Sequence, residues 1–228
     1  MGKEKVALVG SGNWGSAIAT KMGVNTLKKD IFEDKVQMWV FEEYVKEEGG
    51  KWIRPARGAK PPEGKTWVDE GFTPLTEVIN TKNENVIYLP GIPLPTSIVA
   101  QPDIKAAITG ATMMVFVIPH NFLAPIVPKM EGAFAENAIG CSLIKGIEFD
   151  RAGDGKPILI SDLLQKEMKK GITGDWNVDM SVLMGANVAN EVAKGDFAEA
   201  TIGCTNLANG KKVRAHAAPE AVRTLRPA

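Results

Sequence analysis

The chain has 228 residues, 44% of them hydrophobic and 24% charged, and its 27 basic and 27 acidic side chains cancel. Such a chain can bury a real core as one large domain or two small ones, and it carries no net charge to draw it to nucleic acid or to an anionic membrane surface. No apolar run approaches the ~20 residues of a membrane-spanning helix, and the charged start at Lys3, Glu4 and Lys5 is unlike a secretory leader.

The two cysteines, Cys141 and Cys204, each sit alone in apolar surroundings. They read as buried free thiols of a reducing compartment, which points to a cytoplasmic protein. With only two histidines beside them and no paired spacing, no metal site is expected.

The first apolar run, Val6–Val9, lacks alternation and reads as a strand buried on both faces. It runs into a glycine-rich turn and then the helical stretch Trp14–Leu27. Further along, Val36–Phe41, Met113–Ile118, Ala138–Ile144 and Ser181–Met184 read as buried strands. Between them lie Pro102–Thr109, Phe122–Met130 and Ile158–Lys169, amphipathic and of helical length. Strand and helix in alternation predict an α/β fold: a Rossmann-type, doubly wound, mostly parallel sheet with helices on both faces.

Two stretches break the rhythm. Residues 44–73 are crowded with Gly, Pro, Lys and Glu, which predicts a surface insertion, by default a solvated loop, with Trp52 and Trp67 placed to pin it to the body. From Lys211 onward, "KKVRAHAAPEAVRTLRPA" has no apolar face. The expected organisation is therefore one domain over residues 1–212 and an irregular tail over 213–228.

The turn after the first strand carries Gly10, Gly12 and Gly15 as G-x-G-x-x-G. The first glycine permits the tight turn, the second leaves room for a pyrophosphate, and the third lets helix and strand pack closely. A bare match also occurs in turns that bind nothing. Here it follows a strand and opens an Ala-rich helix, whose free N–H groups would face the phosphates. The second strand ends in Glu42 and Glu43. A carboxylate there can accept from a ribose 2′-OH and repel a 2′-phosphate, favouring NAD over NADP, or it can be a solvated strand end. Arg54 and Arg57 in the insertion pull the other way, because a guanidinium can hold that phosphate.

Several segments resemble the NAD-dependent glycerol-3-phosphate dehydrogenase family. They are "VGSGNWGSAIA" (Val9–Ala19), "MWVFEE" (Met38–Glu43), "NENVIYLPG" (Asn83–Gly91), "FVIPHNF" (Phe116–Phe122), "SLIKGIE" (Ser142–Glu148) and "SVLMGANVANEVA" (Ser181–Ala193). They run in order from about Lys5 to Cys204. The resemblance implies NAD as cofactor and the interconversion of dihydroxyacetone phosphate and sn-glycerol 3-phosphate. It assigns the pyrophosphate to Gly10, Ser11, Gly12, Asn13, Trp14 and Gly15. Phe41 and Phe122 would flank the cofactor's two rings, Ala189 would line the nicotinamide side, and Lys145 would hold the phosphorylated substrate. A homodimer is compatible with it.

The residues themselves support part of this. Lys145 follows a buried strand at its carboxyl end, where ligands of such sheets bind, although a solvated lysine is the commoner outcome. His120, after another strand, reads as a structural or cofactor-edge imidazole. Asn187 can serve the nicotinamide carboxamide or cap the next helix. The family's second half, with its catalytic lysine and substrate-closing helices, has no counterpart motif here, so no catalytic residue is assigned. Two readings follow: the cofactor half of a dehydrogenase, weakly active or inactive alone, or a non-catalytic NAD-binding or interaction module.

Overall fold

The computed structural model describes residues 2–149, 155–185 and 188–217, and the backbone of 223–225. The chain opens with β1 (Glu4–Val9), α1 (Asn13–Lys28) and β2 (Phe32–Trp39), followed by the short strands β3 (Tyr44–Glu48), β4 (Lys51–Ile53) and β5 (Thr73–Pro74). Then come α2 (Leu75–Lys82), β6 (Ile98–Gln101), α3 (Ile104–Ile108), β7 (Met113–Phe116), α4 (Leu123–Ile126), β8 (Ile139–Ser142), β9 (Glu148–Phe149) and β10 (Pro157–Ile158). The last elements are α5 (Ile160–Lys169), β11 (Asp179–Met184), α6 (Ala189–Lys194), β12 (Thr201–Gly203), α7 (Leu207–Ala217) and β13 (Arg223–Leu225).

Eight strands form one sheet in the order β13-β12-β11-β8-β7-β1-β2-β6. All neighbours pair parallel except β11 and β12, which are antiparallel. The order runs outward in both directions from β1, so the chain changes direction between β1 and β7.

The unbroken apolar runs have a simple cause: both faces of the sheet are covered. Val6 and Leu8 of β1 join Met113 and Val115 of β7 in a core with Ile18 and Met22 of α1, Val78 and Ile79 of α2, and Val213 of α7. The alternate residues Ala7, Val9, Met114 and Phe116 point the other way, onto Ile104 and Ile108 of α3, Ile126 of α4 and Leu164 of α5. The period-2 geometry of a strand thus divides the helices into two layers. The expected doubly wound sheet is the observed one.

Two expectations need correction. The insertion is not an irregular loop over its whole length: β3 pairs antiparallel with both β4 and β5 as a small sheet. Val45 is fully buried, Trp52 packs against the main core, and Trp67 meets Phe72 edge-on at 5.3 Å. The apolar residues of a Gly- and Pro-rich segment suffice here because the body of the domain supplies the other side of the contact.

The tail also begins later than its composition implied. Residues 213–217 complete α7, with Val213, His216 and Ala217 fully buried. Lys212 donates to Glu4 at 2.6 Å, and β13 pairs parallel with β12. The burying residues of α7 are small or are a histidine, so no apolar stripe announces the helix.

Candidate functional site

Four adjacent parallel strands end at one level. The pairs Val9↔Trp39, Val9↔Phe116 and Phe116↔Ser142 stand opposite each other, so the segments after β1, β2, β7 and β8 emerge together at the carboxyl edge of the sheet. This edge, at the point where the strand order reverses, is where a ligand crevice forms in such folds. It collects the glycine turn, Phe41, the segment Pro119–Phe122, and Lys145.

The turn is built as its sequence requires. Gly10 has φ +118°, and a Cβ there would come within 2.8 Å of Ile118. A Cβ on Gly15 would collide with the Gly10 carbonyl oxygen, so the start of α1 lies directly on the turn. Gly12 is the opposite case. A Cβ there meets nothing within 4 Å, and Gly12 caps α1 with no side-chain hydrogen bond. The first N–H groups of this 16-residue helix therefore have no side-chain cap, and its positive dipole end is left to meet an anion. An open cradle lined by N–H donors fits the diphosphate of a dinucleotide.

A residue given no role from the sequence holds this turn. Asn85 is fully buried, and its Nδ2 donates to the Ser11 carbonyl and to Ser16 Oγ, each at 2.9 Å. Its Oδ1 accepts from the Tyr88 N–H at 3.1 Å. Ser16 Oγ also donates to the Ser11 carbonyl at 3.0 Å. Asn13 reaches outward, its Nδ2 donating to the Tyr88 carbonyl at 2.8 Å and to Asn190 on α6 at 3.2 Å. The signal was present in "NENVIYLPG", but a buried asparagine far from the glycines has no local mark that tells it from a loop residue.

Lys145 is exposed just beyond β8, and its Nζ lies 5.5 Å from the centre of the Trp14 ring. Trp14, Leu143, Lys145, Leu183 and Gly185 line a shallow hollow there. The ammonium is thus held over the first turn of α1 by a cation–π contact. His120 lies against the Lys145–Gly146 segment: a Cβ on Gly146 would stand 3.2 Å from its Nδ1.

Phe41 and Phe122 follow the two strands that flank β1, and both rings are exposed, at 71% and 41%. Aromatic faces open to solvent on either side of the turn can stack on planar rings. Ala189 begins α6 and is buried in a small cluster with Ala17 of α1 and Leu89. Asn187 lies outside the described residues.

The two acids after β2 are not free. Both oxygens of Glu42 accept from Thr76, from its N–H at 3.1 Å and its hydroxyl at 2.5 Å. Pro74, at the N-cap of α2, has no side-chain acceptor, and Glu42 takes over that duty. Glu43 accepts from Arg54 Nη1 at 2.8 Å and from the Tyr88 hydroxyl at 2.5 Å. Burial, reinforced by the bond to Glu43, pushes the Tyr88 phenol up from its ordinary value. Neither carboxylate is therefore free to repel a 2′-phosphate in the way the sequence suggests.

Topology, glycine turn and uncovered helix end define a dinucleotide-binding domain of the Rossmann type. Comparison with known proteins gives the family. Residues 5–210 match the profile described as NAD-dependent glycerol-3-phosphate dehydrogenase N-terminus. Over 214 residues the chain is 42% identical to the cytoplasmic NAD(+) glycerol-3-phosphate dehydrogenase of Rattus norvegicus and 41% identical to that of Homo sapiens, covering 94% of this chain and 51% of each relative. Among solved structures, the glycerol-3-phosphate dehydrogenase of Plasmodium falciparum superposes with TM-score 0.75 at 27% identity, covering 99% of this chain and 53% of that one. That of Saccharomyces cerevisiae gives 0.74 at 29%, covering 98% and 56%.

The chain belongs to the NAD-dependent glycerol-3-phosphate dehydrogenase family, and it corresponds to the family's NAD-binding N-terminal domain. It spans about half the length of the curated relatives it matches. Among the described residues, no helix is long and apolar enough to cross a membrane.

Proposed function

We propose that this chain binds NAD(H) at the Gly10–Gly15 turn and forms the cofactor half of an enzyme interconverting dihydroxyacetone phosphate and sn-glycerol 3-phosphate in the cytoplasm. The observation that carries the reading is the Lys145 ammonium held over the first turn of α1, beside the open cradle at Gly12. The N–H groups of Ser11–Gly15 would hold the diphosphate, Phe41 and Phe122 would flank the two ring systems, and Ala189 would line the nicotinamide side. When bound, the nicotinamide supplies or accepts the hydride. Lys145, a point charge on a flexible stem next to a glycine, would anchor the substrate phosphate within reach of it.

Turnover by these 228 residues alone is expected to be weak or absent. Reducing a ketone needs a proton donor at its oxygen and charge stabilisation of the alkoxide, each worth about 10²–10⁴-fold or similar. The family motifs that supply them do not occur in this sequence. The assembled form we expect is a homodimer, measurable by sedimentation.

Titration with NADH, read by cofactor fluorescence, tests the binding. Gly12→Val should fold normally and bind no NADH, and equal affinity in both proteins would refute the assignment. Dihydroxyacetone phosphate-dependent NADH oxidation tests the chemistry, alone and with a separately produced helical half of a family member. A second reading, a non-catalytic NAD-binding module, draws on Val188 and Phe197, exposed at 55% and 78% at either end of α6 as a contact surface. Binding without turnover, even after complementation, would favour it.

A further inference from the structure

The insertion contributes a charged side chain to the carboxyl edge of the sheet. Arg54, just past β4, donates from Nη1 to Glu43 Oε1 and to the Tyr88 hydroxyl, both at 2.8 Å. Its guanidinium carbon lies 5.5 Å from the Tyr88 ring centre. Tyr88 is in turn tied to the glycine turn, because its carbonyl accepts from Asn13 and its N–H donates to Asn85. The Glu43–Arg54–Tyr88 cluster therefore stands between the insertion and the dinucleotide cradle, beyond the carboxyl end of β2. In folds of this kind the adenosine ribose lies there, and a free acid at that position excludes a 2′-phosphate.

We propose that Glu43 and Arg54 form a balanced subsite for the adenosine 2′ position, so that this chain accepts the 2′-phosphorylated dinucleotide NADPH as well as NADH. The proposal rests on the reading that the turn binds a dinucleotide. Its physical basis is charge and geometry. Of the two acids after β2, Glu42 is committed to α2, which leaves Glu43 to act on a 2′ substituent, and Arg54 offsets its charge. Both bonds from Arg54 leave through one nitrogen, Nη1. The guanidinium carries five N–H donors in a planar fork, and its side chain is 47% exposed, so the Nε–Nη2 edge can meet an incoming phosphate. Each partner restrains the other: the arginine keeps the acid from repelling a phosphate, and the acid keeps the arginine from gripping one tightly.

The test is the ratio of dissociation constants for NADPH and NADH, measured by cofactor fluorescence at low ionic strength on the full chain and two variants. For the unmodified chain the ratio is expected within about tenfold of unity. Arg54→Ala exposes the acid and should raise the ratio about tenfold or more, whereas Glu43→Gln frees the arginine and should lower it by a similar factor. Opposite movements support the proposal. A ratio unmoved by either variant overturns it, as does an equal loss of both cofactors, which would make the cluster a prop for the insertion. If the folded chain binds NADH but the ratio stays fixed, only this inference fails. If it binds neither dinucleotide, the reading beneath it fails as well.

Discussion

Replacing Asn85 by alanine removes three hydrogen bonds at once from a fully buried position. The Ser11 carbonyl keeps the Ser16 hydroxyl as a donor at 3.0 Å, so it is not stranded. The Tyr88 N–H loses the acceptor that Asn85 provided. One orphaned donor costs about 1–3 kcal/mol, and two further lost bonds cost about 1 kcal/mol each, so a total of about 3–5 kcal/mol is expected before relaxation. For a domain of this size that lowers the melting temperature by roughly 6–20 °C. Binding should suffer separately, because the turn would no longer be fixed in the shape that presents its N–H groups; NADH affinity should fall about tenfold or more. Asn85→Asp is the sharper variant, since its carboxylate still accepts from Tyr88 but sets a charge against the Ser11 carbonyl with nothing to donate. Urea unfolding followed by circular dichroism gives the stability change, and NADH fluorescence gives the affinity. If both variants unfold within ~0.5 kcal/mol of the unmodified chain and bind NADH equally well, the Asn85 brace carries no energy and the reasoning fails.

Gly15→Ala should both destabilise the fold and abolish NADH binding, unlike Gly12→Val, because its Cβ is driven into the Gly10 backbone while that of residue 12 enters open space; thermal unfolding of the two variants compares them. Burial holds the His216 imidazole down to about 3 against an ordinary 6.5, with Lys29 adding to the effect. The unfolded chain then binds the extra proton between those values, so stability contributed by the neutral ring is full above pH ~6.5 and drains away as pH falls toward 3, by roughly 2–3 kcal/mol at pH 4.5. His216→Gln should flatten that part of the urea-midpoint profile, and an unchanged slope would contradict it. Lys145→Ala, at an exposed position, should leave the melting temperature within about 1 °C yet weaken dihydroxyacetone phosphate binding in the presence of NADH about tenfold, read by calorimetry.

Five of the eight strands of the main sheet, β1, β2, β7, β8 and β11, and the helices α1, α3, α4 and α5 are legible in the sequence. Val6–Val9, Met113–Phe116 and Ile139–Ser142 are apolar without alternation because both faces of a doubly wound sheet are covered, and that local pattern survives in any reading of the chain. The glycine turn was equally legible, since Gly15 answers the Gly10 carbonyl five residues before it and Gly10 itself turns at positive φ, although the Ile118 side chain that also crowds Gly10 comes from far along the chain. Roles filled from far along the chain exist only in the fold. Asn85 supports Ser11 across 74 residues, Glu42 caps a helix 34 residues away, and Arg54 neutralises Glu43 from an insertion whose composition suggested a loop. The helix at 207–217 was hidden for the same reason: its fully buried surface is Val213, His216 and Ala217 packed on other elements, and no periodic stripe records that. Patterns repeat along a segment only when a whole face is buried. A single side chain that satisfies a distant partner leaves no periodicity, and its function exists only once the fold has brought the two together.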